Sequence, residues 1–196
     1  MTDELRADSP LAGFAREFQM ARRIALIEHD VVQINLRGDA ADPGFRAAVR
    51  DVVGVDVPVE PNTVTVAGYR AILWLGPDEW LVTVQLMRGE EPPALAAPLA
   101  QALAGRHASV VDVSSNRAAI GFLGPHARLV LAKCCGLDLH PRSFAAGRCA
   151  QTLLARAPVI LHQFDDLPGY RLYVRASLAA YVAEWLLEAV REYKYL

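Results

Sequence analysis

The sequence predicts an α+β fold: two similar lobes of antiparallel sheet, each with helices on one face, related by an internal duplication. Three observations carry this. Strand-like and helix-like segments recur in the order β, α, β, β, β, α in each half, with room for an extra strand, and such an order suits sheet covered by helices. Pro43, Arg46 and Gly54 are matched by Pro125, Arg128 and Gly136 at a constant offset of 82 residues. Apolar residues make up 53% of the 196, enough to bury a core in a chain of one large domain or two small lobes.

Residues 1–22 read as an N-terminal arm. Ser9-Pro10 breaks the chain, and Leu11, Phe14 and Phe18 form a short apolar stripe. The first lobe is expected over 23–107. Val31, Val32, Ile34 and Leu36 are apolar and largely β-branched, and Arg37-Gly38-Asp39 ends that run. Asp42-Pro43 opens a helix, since Asp accepts from free backbone N–H groups and Pro suits the first turn. Phe45, Val49, Val52 and Val53 give the helix its apolar face, and Gly54 stops it. Strands follow at Thr63 to Val66, Ala71 to Leu75 and Trp80 to Val84, the last two joined by the turn Gly76-Pro77-Asp78-Glu79. Ala94 to Leu103 reads as helix from its Ala and Leu content.

The second lobe is expected over 108–196. Val110 to Val113 and Ala118 to Phe122 are strand-like. Leu123-Gly124-Pro125 leads into a helix from His126 to about Cys135, ended by Gly136. Gln151 to Leu154, Val159 to Gln163 and Tyr170 to Val174 are strands, with a turn at Leu167-Pro168-Gly169. From about Ser177 to Tyr193, Leu178, Tyr181, Val182, Trp185, Leu186 and Val190 fall at helical spacing. Burying six such side chains is worth on the order of 10 kcal/mol before entropy is charged, so this helix must dock, most simply on its own sheet.

Charge and motifs exclude several functions. Twenty Lys+Arg against 22 Asp+Glu leave a net charge of -2. That offers no positive surplus for nucleic acid. No signal-peptide pattern or membrane-length apolar run is present, so a cytoplasmic protein off the membrane is expected. Three cysteines, two of them adjacent, suit a reducing compartment better than a disulfide framework. Neither G-x-G-x-x-G nor G-x-x-x-x-G-K occurs. Cys134, Cys135 and His140 invite a metal reading. Neighbouring cysteines on a helix project about 100° apart, however, and a buried apolar role suits them better. Ser114-Ser115-Asn116 lacks nucleophile-elbow glycines, and Asp165-Asp166 precedes a Pro-Gly turn that explains it. No catalytic, cofactor-binding or metal-ligating residue is assigned.

From residue 109 the text resembles the folate-dependent aminomethyltransferases of the glycine cleavage system. Val111-Asp112-Val113-Ser114 and Gly121-Phe122-Leu123-Gly124-Pro125-His126-Ala127 match their D-x-S and G-P-x-A segment. The whole chain is similar to the gamma subunits of heterotetrameric sarcosine oxidase. The motifs are Ser9-Pro10-Leu11, Ile34-Asn35-Leu36-Arg37, Leu75-Gly76-Pro77-Asp78-Glu79-Trp80-Leu81, Cys135-Gly136-Leu137-Asp138-Leu139-His140-Pro141 and Gly147-Arg148-Cys149-Ala150-Gln151-Thr152.

The resemblance implies an aminomethyltransferase-like fold and a place in a complex with alpha, beta and delta subunits. That complex demethylates sarcosine oxidatively to glycine, with hydrogen peroxide and methylenetetrahydrofolate or formaldehyde formed. FAD, FMN, NAD, zinc and tetrahydrofolate are implied on the other subunits, and none on this chain. Where the aminomethyltransferases carry an acidic G-G-I-x-D-D stretch, this chain has Pro158-Val159-Ile160-Leu161-His162-Gln163, without carboxylate or glycine pair. A structural, assembly role is therefore expected. Leu11, Phe14, Trp74 and Trp80 are the candidate interface residues, because aromatic anchors are enriched at interface centres. Two other readings stay open: a free folate-binding protein, in which Gly147-Arg148-Cys149-Ala150-Gln151 echoes a K-G-C-Y-x-G-Q-E motif, and a gamma-like subunit of an N-methylglutamate dehydrogenase.

Overall fold

A computed structural model describes residues 9–19, 24–87 and 89–193. The outer part of the expected arm, 1–8, and residues 20–23 lie outside the described residues. The elements are a short 3₁₀ turn, then α1 (Ala15–Gln19), β1 (Ala25–His29), β2 (Val31–Arg37), α2 (Pro43–Val53), β3 (Val64–Ala67), β4 (Arg70–Gly76), β5 (Glu79–Gln85), α3 (Ala96–Ala102), β6 (Ser109–Asp112), β7 (Arg117–Leu123), α4 (Ala127–Ala132), β8 (Arg148–Leu154), β9 (Ala157–Asp165), β10 (Gly169–Arg175) and α5 (Ala176–Val190).

Two five-stranded antiparallel sheets result, in the orders β3-β4-β5-β2-β6 and β1-β7-β10-β9-β8. Matched strands occupy matched places, as an internal duplication requires. Sheet membership does not follow the 107/108 boundary, however. β1 leaves the first half to pair with β7, Ile27 opposite Gly121. β6 leaves the second half to pair with β2, Leu36 opposite Val110. Each half lends its first strand to the other.

The layers run helix, sheet, sheet, helix. Phe45, Val49 and Val53 of α2 and Leu99 of α3 cover the outer face of the first sheet through Ile34, Leu36, Trp80 and Val82. Val130 and Leu131 of α4 and Val182 and Leu186 of α5 cover the second through Ile120, Phe122, Leu161 and Leu172. The inner faces meet through Leu73, Leu75 and Leu81 from one sheet and Ala119, Cys149, Ile160 and Tyr173 from the other. β2, β5, β7 and β9 are consequently covered on both faces, with polar Gln33, Thr83 and His162 among their buried side chains.

Local chemistry explains the helix ends. Asp42 Oδ1 accepts from the Gly44 N–H at 2.7 Å, Pro43 stands at the first position, and Gly54 at φ +76° returns its N–H to the Arg50 carbonyl. These match expectation. The stripe of α5 is rotated from the expected one. Ala179, Val182, Ala183, Leu186 and Val190 are buried, whereas Trp185 faces outward and is 41% exposed. Two alanines on the inner face let the helix axis approach the sheet, which a Trp there would prevent.

Candidate functional site

The contact between the inner faces holds a set of buried and half-buried polar groups. Strand alternation points Arg171 and His162 into it, as register partners on β10 and β9. β5 brings Gln85, and β1 brings His29. Arg171 donates to Gln85 Oε1, and Gln85 Nε2 lies 3.3 Å from His29 Nδ1. The His29 ring stands where a Cβ on Gly121 would be, 2.4 Å from Nε2. The glycine is therefore what admits the imidazole. The Arg171 guanidinium lies 5.4 Å above the Phe164 ring.

His162 is 2% exposed, and neither ring nitrogen has a hydrogen-bond partner among the described residues. Burial first, and the Arg171 charge second, push its pKa down to about 3. The same two causes bring His29 to about 4. Both rings are neutral near pH 7 and take no proton there. His162 stands in the stretch where the resemblance to the aminomethyltransferases leads one to expect an acidic residue, and between Pro158 and Gln163 there is no carboxylate.

The cysteines behave as apolar groups. Cys149 is buried, with Sγ 3.3 Å from the Trp74 carbonyl oxygen and 3.5 Å from that of Thr63. Burial pushes its thiol up to about 12, and that of Cys134 to about 11. Among the described residues no group of three His, Cys, Asp or Glu is placed to hold a metal ion. Ser114 Oγ accepts from the Gln33 N–H at 3.0 Å and ties β2 to the β6–β7 connection. Asp165 Oδ1 accepts from the Leu167 N–H and shapes its turn.

The four expected interface residues separate. Trp80 is fully buried, donates its indole N–H to the Pro58 carbonyl at 2.8 Å and packs on Phe45 at 5.6 Å between centroids. Leu11 is buried in the core on the outer side of the second sheet. Its N–H donates to Ser9 Oγ at 2.9 Å, and that hydroxyl donates in turn to Glu28. Ser9-Pro10-Leu11 thus pins the arm to its own chain. Both Trp80 and Leu11 are enclosed by this chain's own residues. Phe14 and Trp74 are half-buried. The residues missed by sequence reasoning, His29, Gln85 and Arg171, left one signal: polar side chains at inward positions of otherwise apolar strands.

A family model described as "Sarcosine oxidase, gamma subunit family" matches residues 37–192. The chain belongs to that gamma-subunit family. A sarcosine oxidase subunit gamma from Corynebacterium sp. (strain U-96) is 39% identical over 163 residues, covering 82% of this chain and 76% of the relative. One from Arthrobacter sp. is 36% identical over 162 residues, with the same coverage. A chain of the heterotetrameric sarcosine oxidase from Corynebacterium sp. U-96, solved with pyrrole 2-carboxylate, superposes with a TM-score of 0.86 at 35% identity, covering 96% of both chains. The glycine cleavage system aminomethyltransferase T from Bartonella henselae superposes with a TM-score of 0.62 at 14% identity, covering 87% of this chain and 48% of that one. This chain therefore shares the fold of about half of that aminomethyltransferase, and at that identity the likeness is one of fold alone.

Proposed function

We propose that this chain is the gamma subunit of a heterotetrameric sarcosine oxidase, and that its task there is assembly. The complex would demethylate sarcosine oxidatively to glycine, forming hydrogen peroxide and methylenetetrahydrofolate or formaldehyde. Alpha, beta and delta subunits would carry FAD, FMN, NAD, zinc and the tetrahydrofolate site. The superposition over 96% of both chains at 35% identity is the observation that supports this most. The neutral, buried His162 and the raised thiol pKa values favour assembly over chemistry on this chain.

Residues 23–107 and 108–196 are the duplicated units, with 1–22 the arm. The exchange of β1 and β6 between the sheets supports reading them as one compact two-lobed unit. No helix among the described residues is long and apolar enough to cross a membrane, and a cytoplasmic location accords with the free cysteines.

Co-expression with the large flavin-carrying subunits tests the proposal: the chain should co-purify with them in a fixed ratio. Failure to associate would reject it. Calorimetric titration of the isolated chain with tetrahydrofolate should show no binding, and tight binding would favour a free folate-binding protein instead.

A further inference from the structure

At one end of the second sheet, a row of inward positions runs past the cover of the first. Arg117 and Arg175 stand directly opposite each other on β7 and β10. Pro158 on β9 and Leu153 on β8, themselves register partners, extend the row to the sheet edge. This row and Tyr173, Ile160 and Gln151 behind it line a cleft of about 740 Å³. Cys134, Gly136 and Ala155 are shared with a second cleft of about 460 Å³, which adds Lys133, Arg156, Tyr181 and Trp185. The two form one surface, on which Leu153 is 54% and Trp185 41% exposed.

The charge of this surface is one-sided. Four cationic side chains line it and no carboxylate does, although the whole chain carries a net charge of -2. Of the four, Lys133 is paired with Glu192. Arg117, Arg156 and Arg175 have no carboxylate partner within ion-pair distance among the described residues. Like charges directly opposite across a sheet are destabilising unless something negative joins them. Glu79, whose charge reaches Arg117, is already held by Arg37 and Asn35. A buried Tyr173 hydroxyl without a partner lies behind the pair.

We infer that this surface docks an acidic segment of a neighbouring subunit, with Leu153 and Trp185 as its apolar anchors and Arg117, Arg156 and Arg175 as its charge partners. Exposed Trp and Arg around an apolar centre are the residue types that dominate interface energetics. A second copy of this chain is disfavoured as occupant, because two faces of like charge repel. The inference rests on the reading of this chain as a subunit of a larger complex.

The test uses the co-expressed complex, purified through a tag on a flavin-carrying subunit. The wild-type chain should be retained, and its retention should weaken as salt is raised. The Arg117→Glu/Arg175→Glu double variant and, separately, Trp185→Ala should each lower the retained fraction about tenfold at physiological salt. Arg50→Glu, exposed on α2, should match wild type. All substituted side chains are at least partly exposed, so melting temperatures of the isolated chains should stay near wild type, and a variant that melts early is replaced by Leu153→Asp. Wild-type retention of the charge-reversed and Trp185 variants would overturn the docking surface while leaving the subunit reading intact. Loss of the wild-type chain itself would reject the subunit reading. Self-association that Trp185→Ala abolishes would assign the surface to a second copy and overturn the inference.

Discussion

Cys149 Sγ lies 3.3 Å from the carbonyl oxygen of Trp74, so a thiol on the second sheet's edge strand closes against the hairpin of the first. The Cys149 N–H donates to the Asn62 carbonyl at 2.9 Å, and Thr63 pairs with Arg148 across the same junction. The free edges of the two sheets are thereby stitched together, and strand edges that would otherwise be open are partly closed. Labelling of the native chain with iodoacetamide near pH 8 should modify half-buried Cys134 slowly and leave Cys149 untouched, since both thiols titrate well above that pH. Mass spectrometry reads the sites. Rapid labelling of native Cys149 would mean that the sheets do not meet there.

Stability should fall in acid because of the two inter-sheet histidines. The ordinary histidine value is 6.5, and His162 is held near 3 in the fold. Below pH 6.5 the unfolded chain therefore binds a proton that the native chain refuses. The histidine's contribution is fully present above 6.5 and is lost as pH falls toward 3, at about 1.4 kcal/mol per pH unit. His29, held near 4, adds in the window from 6.5 to 4, by less because it is partly exposed. Urea midpoints from pH 8 to pH 4.5 should show this slope. His162→Leu should flatten it, and should cost little at pH 8, because the ring nitrogens make no hydrogen bonds that leucine would forfeit.

Gly38 faces the Phe45 ring so closely that an added Cβ would lie 2.2 Å from it. That ring is buried and packed on Trp80, so it has no room to retreat. Gly38→Ala should destabilise the chain by about 1–3 kcal/mol. Denaturant unfolding measures it, and a neutral effect would contradict the packing described for the first lobe.

How much of this was legible in the sequence depends on what each residue answers to. Asp42, Pro43 and Gly54 answer to local backbone chemistry, and the helix they bound is where their sequence placed it. The hairpin between β4 and β5 was equally readable, from a four-residue turn between two apolar runs. β1 was not, because Ala25–His29 is short and only Asp30 separates it from β2. Nothing local marks that single residue as the place where the chain crosses between sheets. Trp185 follows the helical period of its neighbours, yet Ala179 and Ala183 take the inner face, a choice made by packing distance rather than by hydrophobicity. Arg171, His162, Gln85 and His29 lie on four strands, and only the stacking of the two sheets brings them together. Arg117 and Arg175 are 58 residues apart in sequence. Their opposition exists only in the β7–β10 register.

Trp80 separates a core role from an interface role. Trp80→Ala removes the ring that fills the first lobe and the hydrogen bond to Pro58. It should cost about 3–5 kcal/mol of stability. In the fraction that remains folded, affinity for the other subunits should be unchanged, because the indole is enclosed by this chain. Thermal unfolding and a binding titration on the same sample check the two halves of that statement.

The measurement that bears most directly on the whole account is the composition of the complex formed when this chain is co-expressed with the large flavin-carrying subunits of a sarcosine oxidase. The account predicts that the chain is recovered with them in a fixed ratio, while the isolated chain shows no flavin absorbance of its own. A chain that never associates, or one that carries a flavin when purified alone, would contradict it.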